Sequence, residues 1–461
     1  MENRYEDVKE YIVEQMKSSR MKPGAKLPSV RELAKQCQVC NSTVVNAYRK
    51  LEQENIIYSM PKSGYYAMKP RNTDIVPDNS SIIELSKATP AHDLLPYHKF
   101  RNCINQAIDS YGGALFIYSN PQGFEGLRNT LVKYYGQEQI FTSESNMVIT
   151  AGTYQALLIL VKMPFPNGNS NILVEQPTYS GMLRLMKLEN SNVIGIERDV
   201  NGIDLDRLET IFRSGNVKFF YLMPRFQNPT GFSYPKEQKL KILALAAKYN
   251  VYIVEDDYLA DLETDPKNDS LFAMSQMPNI IYIRSFSKSL LPGIRVASVI
   301  LPELLVNDFI TYKKLCDIGN SNLNQAALEL FINSGMLEKH CRDIRNEYEI
   351  RMAEMERFTE TASLLGLELF VPHTGFFCYL TLPKEISSNR LMGLLKINQI
   401  AMAGTQDMYI PCFFKDNSLR IGLCCLDQHT ISQSIRKTFE CIEKVMNSAQ
   451  MSLQHEDILI Q

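Results

Sequence analysis

Arg284-Ser285-Phe286-Ser287-Lys288-Ser289-Leu290-Leu291-Pro292-Gly293-Ile294-Arg295 is the stretch that decides how this chain reads. A strand-like run, Asn279-Ile280-Ile281-Tyr282-Ile283, leads into it, and a second apolar run, residues 296–301, leaves it. One lysine therefore sits in a hydroxyl-rich loop between two expected strands, with an arginine seven residues on. A desolvated amine with a depressed pKa is a good nucleophile and forms an imine with an aldehyde. Serine hydroxyls and a forked cation are what a phosphate monoester needs. Pyridoxal 5'-phosphate, PLP, carries both groups. Taken alone the segment also fits a surface lysine in a polar turn.

Three other segments remove that ambiguity. Phe226-Gln227-Asn228-Pro229-Thr230-Gly231 follows the strand-like Lys218-Phe219-Phe220-Tyr221-Leu222-Met223. Val251-Tyr252-Ile253-Val254 runs into Glu255-Asp256-Asp257-Tyr258. Ala151-Gly152-Thr153-Tyr154-Gln155 follows Met147-Val148-Ile149-Thr150 and opens a helix-like run. Each lies where a strand ends, and open α/β sheets bind ligands outside the carboxyl ends of their strands. The order Gly-Thr, Asn-Pro-Thr-Gly, Asp-Asp-Tyr, Ser-x-Ser-Lys, Arg resembles the fold-type I PLP enzymes of the aminotransferase class.

Composition sets outer bounds. The chain has 461 residues, enough for two or three domains. Apolar residues make up 45% and charged residues 22%, an ordinary globular balance. No run of 18 apolar residues offers a membrane span. The acidic, amphipathic start is unlike a signal peptide. Ten cysteines without regular spacing then read as reduced thiols, and a cytoplasmic location is expected. Cys37 and Cys40 have C-x-x-C spacing, but no second pair for zinc and no βαβ context for redox work. No metal site is expected.

The first 68 residues differ from the rest. The net charge is +3 through Tyr66 and −5 beyond it, the sign expected of a nucleic-acid module. Tyr5, Val8, Ile12 and Met16 fall at helical spacing. Ser29 is placed to cap a second helix with Val30, Leu33 and Ala34 inward, and Asn41 to cap a third carrying Val44, Val45, Ala47, Tyr48 and Leu51. Residues 56–58 and 65–67, with Gly64 between them, read as a two-stranded wing. Helix-turn-helix plus wing is a DNA-binding geometry. Gly24, the run from Leu27 to Ala34, Thr43-Val44 and Gly64-Tyr65 resemble the GntR-type winged helix-turn-helix. By that resemblance Ser42, Thr43 and Arg49 face DNA with Arg31, while Ser29, Arg31 and Lys62 meet phosphates. The family commonly has Ser-Arg before the Thr-Val; here Asn41-Ser42 stands there, without the base-reading arginine. Residues 69–81 are polar, contain two prolines and read as a linker with a reach of about 45 Å.

From residue 82 onward, strand and helix periods alternate, as in a mostly parallel sheet covered by helices. Residues 367–371, 376–382, 399–402 and 418–424 read as strands of a smaller C-terminal α/β subdomain, closed by a helix from 430 to 446. The aminotransferase resemblance implies roles here. Lys288 holds PLP; Asp256 faces the pyridine nitrogen, although Asp257 stands beside it; Asn228 and Tyr258 meet the ring 3-oxygen. Gly152, Thr153, Ser285, Ser287 and Arg295 cradle the phosphate. Tyr179 stacks on the ring, with Tyr154 as the alternative. Tyr118 reaches the partner subunit's phosphate, and Arg420, in Ser418-Leu419-Arg420-Ile421-Gly422, clamps an α-carboxylate.

A GntR-type reader joined to such a body resembles the MocR-type transcriptional regulators. The likeness implies a head-to-tail homodimer that binds a double-stranded DNA operator and senses a small amino compound, or PLP itself, through the Lys288 imine. A working aminotransferase with an appended DNA module is the rival reading. The residues expected for turnover are all present.

Overall fold

A computed structural model describes residues 4–18, 24–54, 56–60, 63–68, 82–275 and 277–459. The chain divides into two compact units, Met1–Ser80 and Ser81–Gln461. The expected linker, 69–81, and Lys62 lie outside the described residues.

In the first unit α1 (Arg4–Ser18) buries Val8 and Ile12, which are one helical turn apart. α2 (Val30–Gln36) starts at a capping box: Glu32 N donates to Ser29 Oγ, and Ser29 N donates to Glu32 Oε2. α3 (Asn41–Gln53) buries Val44, Ala47, Tyr48 and Leu51. Its cap differs from expectation. Asn41 is the first helical residue and Cys40 holds the cap position, its Sγ 3.0 Å from both Ser42 Oγ and Thr43 Oγ1. Strands β1 (Ile57–Met60) and β2 (Gly64–Ala67) pair antiparallel as the wing. Gly64 adopts a φ of +116°, which a side chain would strain.

The second unit contains β3 (Ile83–Glu84), β4 (Met147–Thr150), β5 (Asn171–Gln176), β6 (Val193–Asp199), β7 (Gly202–Ile203), β8 (Val217–Leu222), β9 (Tyr252–Asp256), β10 (Ile280–Ser285) and β11 (Ala297–Ile300). Apart from β3 they form one sheet in the order β4-β11-β10-β9-β8-β5-β6-β7. β5, β6, β8, β9 and β10 run parallel to their neighbours among themselves, while β11 is antiparallel to both β10 and β4. The reason lies in the opening stretch. Residues 286–296 hold no crossover helix, and a parallel return needs one. β4, β8, β9, β10 and β11 are buried on both faces, so they read as continuous rather than alternating apolar runs.

The C-terminal subdomain contains β12 (Glu368–Phe370), β13 (Phe377–Thr381), β14 (Ile400–Ala401), β15 (Ala403–Gly404) and β16 (Ser418–Gly422). Four of these form an antiparallel sheet in the order β12-β13-β16-β15, while β14 pairs with β3. The run expected as one strand at 399–402 is therefore shortened to β14, and a separate strand, β15, follows it at Ala403–Gly404. The closing helix is longer than expected, Gln428–Leu459.

Arg284, fully buried in β10, is tied to Asp261 and to Glu138. Burial would raise the Asp261 carboxyl, but the Arg284 guanidinium, Ser289 and Arg345 together outweigh it and hold it below the ordinary range. Removing one partner of a buried pair leaves an uncompensated charge. Arg284→Ala is expected to cost about 3–5 kcal/mol in chemical denaturation, measured near neutral pH. Because the folded Asp261 value is depressed, this pair's contribution is present above the unfolded carboxylate value. It is lost as pH falls through the folded one. The gap between wild type and variant should narrow on acidification.

Candidate functional site

The carboxyl ends of β4, β8, β9 and β10 point to one edge of the sheet, and a cavity of about 350 Å³ opens there. A larger cleft, about 1030 Å³, lies between Glu197 and Phe232 on one side and Tyr379 and Lys415 on the other. That cleft contains none of the residues expected to react. The smaller cavity is lined by Thr153, Tyr154, Tyr179, Asn228, Asp256, Tyr258, Ser285, Ser287, Lys288, Arg295 and Arg420. Gly152 backs onto it through Arg295. Tyr118 is 84% exposed and lies outside the cavity of its own chain.

Lys288 Nζ donates to the Ala88 carbonyl. Burial pulls the amine below the ordinary lysine value; Arg420 and Arg295 add to this, while Cys424 and Asp256 oppose it. The two adjacent aspartates face different surroundings, since consecutive strand residues point to opposite faces. Asp256 turns into the cavity. Its Oδ2 accepts from the Tyr221 hydroxyl at 2.9 Å, and its buried Oδ1 has no partner among the described residues. Burial pushes this carboxyl up to about 7, against the Tyr221 hydrogen bond. Asp257 faces away, held by Arg225 through both carboxylate oxygens and by the Tyr282 hydroxyl at 2.8 Å.

One end of the cavity is built for an anion. Arg295 Nη1 donates to Ser287 Oγ at 3.4 Å, and Nη2 donates to the Ala151 carbonyl at 3.0 Å. The helix Thr153–Lys162 starts at the same place, and its first amides favour negative charge. Thr153 Oγ1 is buried without a partner among the described residues. Gly152 sits at φ +90°, and a Cβ there would lie 2.4 Å from Arg295 Nη2. An unpaired hydroxyl, a guanidinium and a helix start fit a phosphate monoester, and the unpaired Asp256 oxygen fits a protonated ring nitrogen. The residues present therefore suit PLP.

At the opposite end Arg420 Nη1 donates to Asn228 Oδ1 at 3.0 Å and Nη2 to the Ser86 carbonyl at 2.9 Å, and the guanidinium lies 4.4 Å from the Phe377 ring centroid. Its Nε has no partner among the described residues. The Tyr258 hydroxyl donates to the Phe226 carbonyl at 2.6 Å. Sequence reasoning passed over Tyr221, Arg184, Phe377 and Ala88, all at or beside the cavity. Tyr221 carried a signal: it puts a hydroxyl on the β8 face that also carries Phe219. Nothing local marks Ala88.

In the first unit, Ser29, Arg31, Ser42 and Arg49 are exposed and Thr43 is half-buried. The Ser29 hydroxyl already accepts from the helix backbone, which leaves its proton for another acceptor.

Residues 82–437 match the family "Aminotransferase class I and II", and residues 4–66 match "Bacterial regulatory proteins, gntR family". The chain is 38% identical over 429 residues to the uncharacterized HTH-type transcriptional regulator YcxD of Bacillus subtilis, across 92% of this chain and 96% of that one. It is 24% identical to the HTH-type transcriptional regulator NorG of Staphylococcus aureus, across 91% of this chain and all of the relative. Among solved structures, kynurenine aminotransferase of Pyrococcus horikoshii, in complex with PMP, superposes with a TM-score of 0.74 at 27% identity. The match covers 79% of this chain and 92% of the enzyme.

Gly152→Ala should force a side chain into a region open essentially to glycine alone, at a cost of about 1–3 kcal/mol, and displace Arg295. Titration of pyridoxal phosphate into apoprotein should show affinity weakened roughly tenfold or more. Unchanged affinity would remove Gly152 and Arg295 from the cradle.

Proposed function

The chain belongs to the aminotransferase class I and II family and joins to that body a GntR-type DNA-binding domain, and from this premise we propose that it is a PLP-dependent transcriptional regulator. Its body senses an amino compound, or PLP itself, at Lys288. The observation that carries this reading is the half-buried amine sharing one cavity with the unpaired Asp256 oxygen and the Arg295 cradle, in a chain that also bears a winged helix. When bound, PLP supplies an aldehyde for amines and a ring that accepts electrons. Lys288 would anchor it covalently. Asp256, already high in pKa, would hold a proton at the ring nitrogen. Asn228 and Tyr258 would orient the ring oxygen, Tyr179 would cover the ring face in preference to Tyr154, and Gly152, Thr153, Ser285, Ser287 and Arg295 would hold the phosphate.

The same donors that meet the ligand also hold one backbone segment. Ser86 O accepts from Arg420 and Ala88 O from Lys288, only a few residues after the linker. A carboxylate taking Arg420 would compete for one of those donors, and an amine displacing Lys288 from PLP would return the other to Ala88 O. Effector binding thus changes what the segment after the linker is tied to, and a ligand shifts two states only by such differential contacts. Exposed Phe116, Ile117 and Tyr118 support a homodimer in which Tyr118 reaches the partner subunit's phosphate site, with the reader heads arranged head to tail.

Two outcomes test this reading. Borohydride reduction of the PLP-loaded protein should place the pyridoxyl mass on the peptide containing Lys288. Lys288→Ala should abolish any effect of amine on operator affinity, and Arg420→Ala should weaken the response to effectors with an α-carboxylate. An ordinary coupling would be about 1–3 kcal/mol. If wild type instead transaminates at roughly one turnover per second or faster while no ligand alters DNA affinity, the rival aminotransferase reading stands.

In the DNA unit, Arg31→Ala should lower affinity across all operator variants, whereas Thr43→Ala or Arg49→Ala should lower it selectively by about 1–3 kcal/mol at the contacted base. Fluorescence anisotropy at fixed salt measures both. Unchanged affinity for Arg31→Ala would refute its phosphate contact.

A further inference from the structure

Beside the cavity, residues 85–89 form a strap whose five successive carbonyls all accept. Gly422 N donates to Leu85 O at 2.7 Å, Arg420 Nη2 to Ser86 O, Cys424 Sγ to Lys87 O at 3.2 Å, Lys288 Nζ to Ala88 O and Cys425 Sγ to Thr89 O at 3.0 Å. Two of these five donors are adjacent thiols. Arg351 fixes their turn by donating to the Leu423 and Cys424 carbonyls. Cys424 is buried, whereas Cys425 is half-buried and so reachable.

We propose that Cys424 and Cys425 form a dithiol site that peroxides oxidise to a disulfide, and that this conversion loosens the strap over Lys288. The neighbouring Cys424 thiol holds Cys425 down to about 6, with help from the Thr89 side chain and the Lys87 and Arg351 charges, and burial opposes this; as a protonated thiol Cys425 donates to Thr89 O. The half-buried sulfur is accordingly the nucleophile. Cys425 Sγ attacks one peroxide oxygen and the O–O bond breaks. The departing oxygen takes a proton and leaves as water, and Cys425 becomes a sulfenic acid, oxidised by two electrons. Cys424 Sγ then attacks that sulfur, the S–O bond breaks, and the hydroxyl leaves with the Cys424 proton as a second water. Net, two thiols and one peroxide give one disulfide and two waters.

Adjacent Cα atoms are about 3.8 Å apart, below the roughly 4.4–6.8 Å usual for a disulfide. The resulting bond is strained and easily reduced, the property of reversible rather than structural disulfides. Its formation removes both S–H donors, so Lys87 O and Thr89 O lose these thiol bonds on either side of Ala88. The other reachable thiols differ. Cys316 and Cys412 are exposed singly, Cys40 is engaged by Ser42 and Thr43, and burial raises the half-buried Cys37 thiol above its ordinary value.

The test uses the full-length protein, treated with hydrogen peroxide, alkylated and digested with trypsin without reduction. Residues 421–436 form one tryptic peptide, and it contains only these two cysteines. It should lose two hydrogens, resist alkylation and recover with dithiothreitol. In C424S a dimedone adduct should appear on Cys425; in C425S the peptide should stay unoxidised. Hydrogen–deuterium exchange at residues 85–91 should accelerate on the order of tenfold in oxidised wild type and stay unchanged in peroxide-treated C425S. Oxidation confined to Cys37, Cys40, Cys316 or Cys412 overturns the site. A disulfide with unaltered strap exchange overturns the coupling, and equal acceleration in C425S does the same. Both readouts come from the chain without DNA or effector, so they fail or succeed independently of the regulator reading.

Discussion

Withdrawal of the Lys288 amine from water is the constraint on which the rest of the structure depends. A desolvated ammonium must be given an acceptor or lose its proton. The chain supplies one acceptor, Ala88 O, and surrounds the amine with two arginines that favour the neutral form. The antiparallel return of β11 makes this possible. The loop between β10 and β11 reverses at the sheet edge, so Lys288 and Arg295 emerge at the same end as Thr150 and Asp256.

The acids are sorted by the pleat. Glu255 and Asp257 face a polar layer in which Glu255 accepts from Leu271 N and Phe272 N, and Arg225 and Tyr282 hold Asp257. Asp256 faces the cavity and keeps one oxygen open. A carboxylate already paired with an arginine is neutralised and cannot serve a ligand. The pairing of Asp257 thus matters as much as the position of Asp256.

The strap at 85–89 draws these parts together. It collects donors from β16, from the turn after it and from the Lys288 loop, all distant in sequence. The carbonyls do this holding, while the Leu85 side chain is buried in the C-terminal core and Lys87 and Thr89 bear on the Cys425 thiol. At Gly422 residue type does matter, because a Cβ would approach Lys87 O to 2.4 Å.

Much of this was legible in the sequence, because the signals are local. Apolar runs ending in Gly-Thr, Asn-Pro, Asp-Asp and Ser-x-Ser-Lys mark strand ends, and the capping box at Ser29 needs only residues three apart. The cap of α3 was misread because asparagine's propensity pointed to Asn41, whereas the backbone turns helical one residue earlier than that choice allows. What only the tertiary structure decided are pairings across long sequence separations. Arg225 meets Asp257, Tyr221 meets Asp256, and the 85–89 carbonyls meet Arg420, Lys288 and two cysteines. A side chain's chemistry is written in its own letter. Which buried charge it meets depends on how strands and helices from distant parts of the chain are brought side by side, and no local pattern encodes that.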